Sequence, residues 1–197
     1  RATQGLYVPG SVFKMVTALA ALEAGVIGLG ETVYCPGHLQ LGQRKFHCWK
    51  RAGHGKVDLV KSLEQSCDVF YYEVAQRAGI DKIADMARRL GLGTRHDLPM
   101  SAVTEGLAPD KQWKLAKYKK DWMIGDTLNA GIGQGYVLAS PLQLAVMTAR
   151  IASGRAVTPR LVRSIDGVEQ PVADLQPLGI DADILHAVRG GMYEVSN

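Results

Sequence analysis

The sequence predicts a helix-rich chain of the α/β class. Several runs carry apolar residues at helical spacing, or nearly all round, and Gly or Pro punctuates them. Only one or two segments alternate in the manner of a strand, the clearest at 156–164.

The elements follow in order. Pro9-Gly10 is a turn signal, and Ser11 to Ala24 reads as a buried helix with Ser near its N-terminus and Gly25 as its stop. Residues 30–56 hold five Gly, Pro36, several aromatics, and His38, His47 and His54; they read as a long irregular excursion, of the kind that is functional or held by something. Asp58 caps a short helix over 59–65. Ser66-Cys67-Asp68 interrupts it, and a second helix runs to about Arg77. Ile80 to Leu90 is amphipathic and stops at Gly91, and 94–122 reads as a surface connection. Gly131-Ile132-Gly133-Gln134-Gly135 is a Gly-rich turn, Ser140-Pro141 opens a helix to about Ser153, Asp166-Gly167 marks a hairpin, and Asp181 to Val188 is a last helix.

The 197 residues, 47% hydrophobic and 21% charged, suffice for one domain with a real core. A net charge of +4 suits an anionic neighbour such as a cell envelope and is too small to argue for nucleic acid. No stretch approaches the roughly 18 apolar residues of a membrane span. Arg1-Ala2-Thr3-Gln4-Gly5 is not a secretory leader and no initiating Met is present, so the chain is expected to be a segment of something longer. Gly131 to Gly135 lacks both a preceding strand and the spacing of a dinucleotide loop. The stretch containing Trp113, Lys114, Lys117, Lys119, Lys120 and Trp122 reads as a solvated face.

Ser11-Val12-Phe13-Lys14 sets a hydroxyl and an amine on one helical face. Serine is a weak nucleophile until a base takes its proton, and a lysine flanked by Phe13 and Met15 in an apolar helix must be paired or neutralised. A helix N-terminus beside Ser11 also favours a developing oxyanion. The blander reading is an N-terminal Ser with a Lys that snorkels to solvent; the four-residue pattern arises by chance roughly once in a chain of this length.

Pro9-Gly10-Ser11-Val12-Phe13-Lys14-Met15, Ser66-Cys67-Asp68, Gly133-Gln134-Gly135 and Ser140-Pro141-Leu142-Gln143-Leu144-Ala145 together resemble the class B penicillin-binding proteins. Cys35-Pro36-Gly37, Trp49-Lys50-Arg51, Gly53-His54-Gly55 and Asp68-Val69-Phe70-Tyr71-Tyr72 look like the elongation-type members of rod-shaped Gram-negative bacteria. The resemblance covers essentially the whole chain. It implies the α-rich portion of the serine β-lactamase/D,D-transpeptidase fold, with much of the sheet outside this segment, and one partial transpeptidase domain over 1–197. It implies a peptidoglycan D,D-transpeptidase at the periplasmic face of the inner membrane, anchored by a segment elsewhere. Ser11 would form the acyl-enzyme, Lys14 would be its base, and Ser66 would relay protons. Asp68, Gln134 and Gly135 would border the substrate, and β-lactams would acylate Ser11. A membrane glycan polymerase and elongation-complex proteins are the implied partners, with no cofactor for catalysis.

Two departures stand out. Asp68 replaces the family's Asn, and would either pair with Lys14 or be protonated. The family's Lys-(Thr/Ser)-Gly motif does not occur and is expected beyond Asn197, so the segment alone is not expected to be competent. Two other classes fit the motifs: a non-catalytic β-lactam-sensing or zinc-stapled module, and a β-lactamase.

Cys35, Cys48 and Cys67 are all the cysteines of the chain, and with His54 they make a closed Zn²⁺ set of the structural kind. The glycines beside His54 let its ring turn inward; His38 is the reserve, and His47 adjoins Cys48 too closely. Cys67 would tie the metal to the Ser66 turn. A Cys35–Cys48 disulfide and inert buried thiols are the alternatives.

Overall fold

A computed structural model describes residues 1–172 and 174–196. Its centre is helix α1 (Lys14–Glu23), preceded by a 3-10 turn over Gly10–Phe13. Of the residues between Lys14 and Leu22, all but Met15 are buried, which is why the run is apolar nearly all round. Helices α2 (Leu59–Glu64), α3 (Asp68–Ala78) and α4 (Ile80–Arg89) follow, with α3 and α4 packed on α1. Then come α5 (Lys111–Tyr118), α6 (Ile124–Gly131), α7 (Pro141–Ser153) and α8 (Ala182–Glu194). Helix α6 lies on α3, and α8 lies on α2 and α1.

Local capping sets several helix starts. The Asp58 carboxylate accepts the Lys61 N–H, and Ser140 and Gln143 form a reciprocal capping box with Pro141 in the first turn. The Gln143 amide does more: fully buried, it also donates to the Thr94 and Glu105 carbonyls, at 3.0 and 2.7 Å, and so ties α7 to the chain before α5.

The excursion at 30–56 is not irregular. β1 (Val33–Cys35) pairs antiparallel with β4 (Gly55–Val57). Between them, β2 (His38–Leu41) pairs with β3 (Arg44–His47), so one hairpin nests inside the other. The strands are three or four residues long, too short for an alternation to show in sequence. The strand expected over 156–164 does not form; instead β5 (Ser164–Ile165) and β6 (Val168–Glu169) flank the Asp166-Gly167 turn. All three ribbons are antiparallel pairs, leaving the described chain a helix-rich α/β structure.

The connection at 94–122 also carries more structure than expected. Lys114 is buried rather than solvated: its ammonium meets Asp126 Oδ2 at 2.5 Å and lies over the Trp122 and Tyr136 rings. Asp126 Oδ2 also accepts the Met123 N–H at 2.8 Å, which fixes the start of α6.

The last helix runs six residues past Val188, through Gly190 and Gly191. Tertiary packing explains the second glycine. A Cβ on Gly191 would fall 2.4 Å from Leu63 Cδ1 and 3.0 Å from Leu63 Cβ, so α8 and α2 touch only because this side chain is missing. Gly191→Ala is therefore expected to lower stability by a net of about 1 kcal/mol, the overpacking outweighing the gain in helix propensity. Chemical denaturation checks this: an unchanged or raised midpoint would mean that the two helices separate without cost.

Candidate active site

The end of α2 creates the centre of the site. Cys67 N donates to Ser62 O at 2.9 Å and Ser66 N to Leu63 O at 3.1 Å, the paired bonds that close a helix C-terminus. That closure puts Ser66 in the left-handed region, φ 51°, where glycine is usual. A hydroxyl-bearing residue thus occupies a strained position and projects from the α2–α3 corner.

Lys14, the first residue of α1, points into this corner. It is 1% exposed, and its ammonium has three acceptors: Ser66 O at 2.9 Å, Ser66 Oγ at 3.0 Å and Asp68 Oδ1 at 2.7 Å. Three N–H groups meet three oxygens, with the Tyr71 ring 5.6 Å away. Ser66 Oγ in turn lies 2.9 Å from Ser11 Oγ. The sequence suggested a direct Lys14–Ser11 contact; the hydrogen-bonded path instead runs Lys14–Ser66–Ser11. Ser11 itself is exposed and belongs to the 3-10 turn, not to α1 as expected.

Asp68 resolves between its two alternatives. Oδ1 binds Lys14, and Oδ2 accepts the Trp49 main-chain N–H at 2.9 Å. Each carboxylate oxygen therefore has an internal donor, and the side chain is only 15% exposed, so Asp68 holds Lys14 rather than facing the cleft. The same match explains why a carboxylate serves here: an amide offers one acceptor, and its NH₂ would confront either the ammonium or the Trp49 N–H.

The Gly-rich turn reaches the Ser11 turn through Gly133, not through Gln134 or Gly135. Gly133 O accepts the Gly10 N–H at 2.8 Å. At φ +69°, a Cβ on Gly133 would fall 2.2 Å from Gly10 O, so this close approach requires glycine. Gln134 and Gly135 are exposed on the same turn. Tyr7 and Ala139 exchange both main-chain hydrogen bonds at 2.9 Å, so the chain before Ser11 is pinned at a second point. A cleft of about 300 Å³ opens over Ser11, Lys14 and Ser66, walled by Val12, Met15, Leu63 and Met192.

Cys35, Cys48, His54 and Cys67 converge beside this corner. Their ligand atoms lie within 4.8 Å of one another, and all four residues are buried. His54 Nδ1 stands 3.6 Å from Cys35 Sγ and 3.5 Å from Cys48 Sγ. A tetrahedral Zn²⁺ with Zn–S about 2.3 Å and Zn–N about 2.05 Å has S–N edges of about 3.6 Å, which the two His54–Cys distances match. Burial pushes the Cys67 thiol up and holds the His54 imidazole neutral, its pKa lowered. His38 and His47 lie outside the cluster, paired across the inner hairpin with ring centroids 6.0 Å apart. All three cysteines are free thiols. Gly37 and Gly53 let the two ligand loops touch: a Cβ on Gly53 would fall 2.2 Å from Cys35 O.

The whole chain, residues 1–197, matches the Penicillin binding protein transpeptidase domain family. The chain belongs to that family. Its sequence is 37% identical over 205 residues to Peptidoglycan D,D-transpeptidase MrdA of Escherichia coli K12, covering 100% of this chain and 32% of that protein. The chain thus spans about a third of the length of such curated relatives. Its fold superposes on penicillin-binding protein 2 (PBP2) of Pseudomonas aeruginosa, solved with WCK 5153, with a TM-score of 0.89, 37% identity, and 97% of this chain and 44% of that one covered. PBP2 of Helicobacter pylori in complex with MreC gives 0.90 and 37%, covering 100% and 36%. Lys14, Ser66 and Ser11 lie within the matched span. The contact between Trp49 and Asp68 had no signal in the sequence, because its donor is a main-chain N–H.

Asp68→Asn is expected to destabilise the protein by about 1–3 kcal/mol, the cost of leaving a buried donor facing another donor. Thermal or chemical unfolding checks this; equal stability would mean that Trp49 N–H does not need the second carboxylate oxygen.

Proposed function

We propose that the protein carrying this domain is a peptidoglycan D,D-transpeptidase that works through a Ser11 acyl-enzyme. The observation that carries the reading is the Lys14–Ser66–Ser11 chain, with its lysine buried and its nucleophile exposed at a cleft. Lys14 first yields to Asp68 Oδ1 the proton of the hydrogen bond between them; the Ser11 proton then passes to Ser66 Oγ while Ser66 passes its own to Lys14 Nζ. Ser11 Oγ attacks the carbonyl between the two terminal D-Ala residues of a stem peptide. When the tetrahedral intermediate collapses, the proton returns along the same path to the amide nitrogen and free D-Ala leaves. An amine from a second stem peptide attacks the ester, gives up its proton to the relay, and forms the cross-link as Ser11 is regenerated. A β-lactam acylates the same oxygen, but its leaving nitrogen stays tethered, so the adduct persists.

Gln134 and Gly135 border the bound peptide in this reading, and Asp68 positions Lys14. The proposed cellular setting is the periplasmic face of the inner membrane, with an anchor outside these residues and a glycan polymerase as partner; an MreC-type partner is supported by the Helicobacter pylori complex. No helix among the described residues is long and apolar enough to cross a membrane.

The Cys/His cluster is proposed to hold one structural Zn²⁺ through Cys35, Cys48, His54 and Cys67. Four ligand side chains close its coordination, so it supports the Ser66 corner and takes no part in bond making.

Intact mass after penicillin treatment of the full-length gene product tests the enzyme reading. One penicillin mass is expected, absent in Ser11→Ala. A folded protein with no adduct would sink the reading and favour a non-catalytic module, and rapid loss of the adduct with hydrolysed antibiotic would point to a β-lactamase. Elemental analysis tests the metal: about one Zn²⁺ per chain is expected, with Cys67→Ala lowering both metal content and melting temperature. Metal-free protein of unchanged melting temperature would rule the zinc out.

A further inference from the structure

Ser66 is held in a left-handed conformation by what binds the two peptide groups on either side of it. The Ser66–Cys67 peptide presents its carbonyl to Lys14 Nζ at 2.9 Å. The Gln65–Ser66 peptide presents its carbonyl to the indole Nε1–H of Trp49, also at 2.9 Å. The C-cap geometry of α2 leaves the Gln65 carbonyl outside the helical ladder, so this indole supplies its donor. Trp49 also gives its main-chain N–H to Asp68 Oδ2, and its ring meets the His54 ring edge-on with centroids 5.4 Å apart.

The side chain is otherwise unexpected for its place. Trp49 is 62% exposed, so little of it is there to fill a core. Both its N–H groups are spent on the 65–68 corner, and it follows directly on Cys48 in the chain. It joins the nested hairpins to the strained serine through directional bonds more than through buried area.

We propose that Trp49 is a positioning residue for acylation: its indole N–H fixes the Gln65–Ser66 peptide and thereby keeps Ser66 Oγ between Lys14 Nζ and Ser11 Oγ. This rests on the reading of Ser11 as the acylated nucleophile. Removing the donor frees the peptide to rotate and relax the left-handed φ of Ser66, which carries Oγ out of line with the two groups it connects. A small misplacement of a relay lowers the chemical step and leaves ligand binding in the cleft unaltered.

The test measures acylation of the full-length gene product by a fluorescent penicillin, separating the affinity of the first complex from the rate constant of the covalent step. Trp49→Phe keeps the main-chain N–H and an aromatic ring beside His54 while deleting the indole donor. Site-specific replacement of Trp49 by benzothienylalanine goes further, keeping the shape of the indole with sulfur in place of N–H. Both are expected to lower the covalent rate constant about tenfold, with the first-complex affinity within about twofold and with wild-type melting temperature for the benzothienylalanine protein. Should the Phe variant fold poorly, the isosteric one decides. A wild-type acylation rate in the benzothienylalanine protein overturns the proposal, as does a loss shared equally between affinity and rate. Absence of a Ser11 adduct in the wild-type protein itself would instead overturn the reading on which the proposal rests.

Discussion

An ammonium that is 1% exposed must find an acceptor for each of its three N–H groups, and Lys14 finds all three in one corner of the fold. Meeting that demand dictates much of the surrounding structure. Helix α1 is apolar on every side, so its first residue has no path to solvent along it. The acceptors therefore come from elsewhere: the end of α2 supplies a carbonyl and a hydroxyl, and the start of α3 supplies a carboxylate. Three helices converge on one buried charge, and the Ser11 hydroxyl is placed one hydrogen bond beyond that convergence.

The resulting site is rigid where chemistry needs it. Ser66 stands where a helix normally ends in glycine, accepting backbone strain so that a hydroxyl sits at the corner. Glycine is used instead at Gly133, where the nucleophile turn and the Gly-rich turn press together, and at Gly191, where α8 closes on α2. The nested hairpins bring Cys35, Cys48 and His54 to Cys67, so the ribbon that looks peripheral in sequence buttresses the α2–α3 corner from outside. The Lys14 acceptors and the Cys/His cluster thus share a three-residue stretch, Ser66 to Asp68.

The sequence alone determined what short-range rules control. The Asp58 and Ser140 caps, the Gly25 and Gly91 stops, the Asp166-Gly167 hairpin and the helices they bound all follow from spacing of a few residues. So do the Ser11–Lys14 spacing and the choice of His54 over its neighbours, since Gly53 and Gly55 both take positive φ and His54 joins the three cysteines, whereas Ser66 entered through the family resemblance. Tertiary structure decided everything that depends on partners far along the chain. The strand pairs of the excursion are too short to carry a pattern, and the outer one, β1 with β4, exists through pairing of residues far apart in the chain, as Val33 with Val57. Lys114 is buried only because Asp126, Trp122 and Tyr136 arrive around it. Asp68 binds Lys14 instead of substrate because a main-chain N–H from Trp49 takes its second oxygen, and main-chain hydrogen bonds are invisible in residue identity. The order of the hydrogen-bonded path, with Ser66 between Lys14 and Ser11, is likewise a matter of where α2 ends in space. Residue types fixed the chemistry available to this chain; the burial of one ammonium fixed how those groups connect.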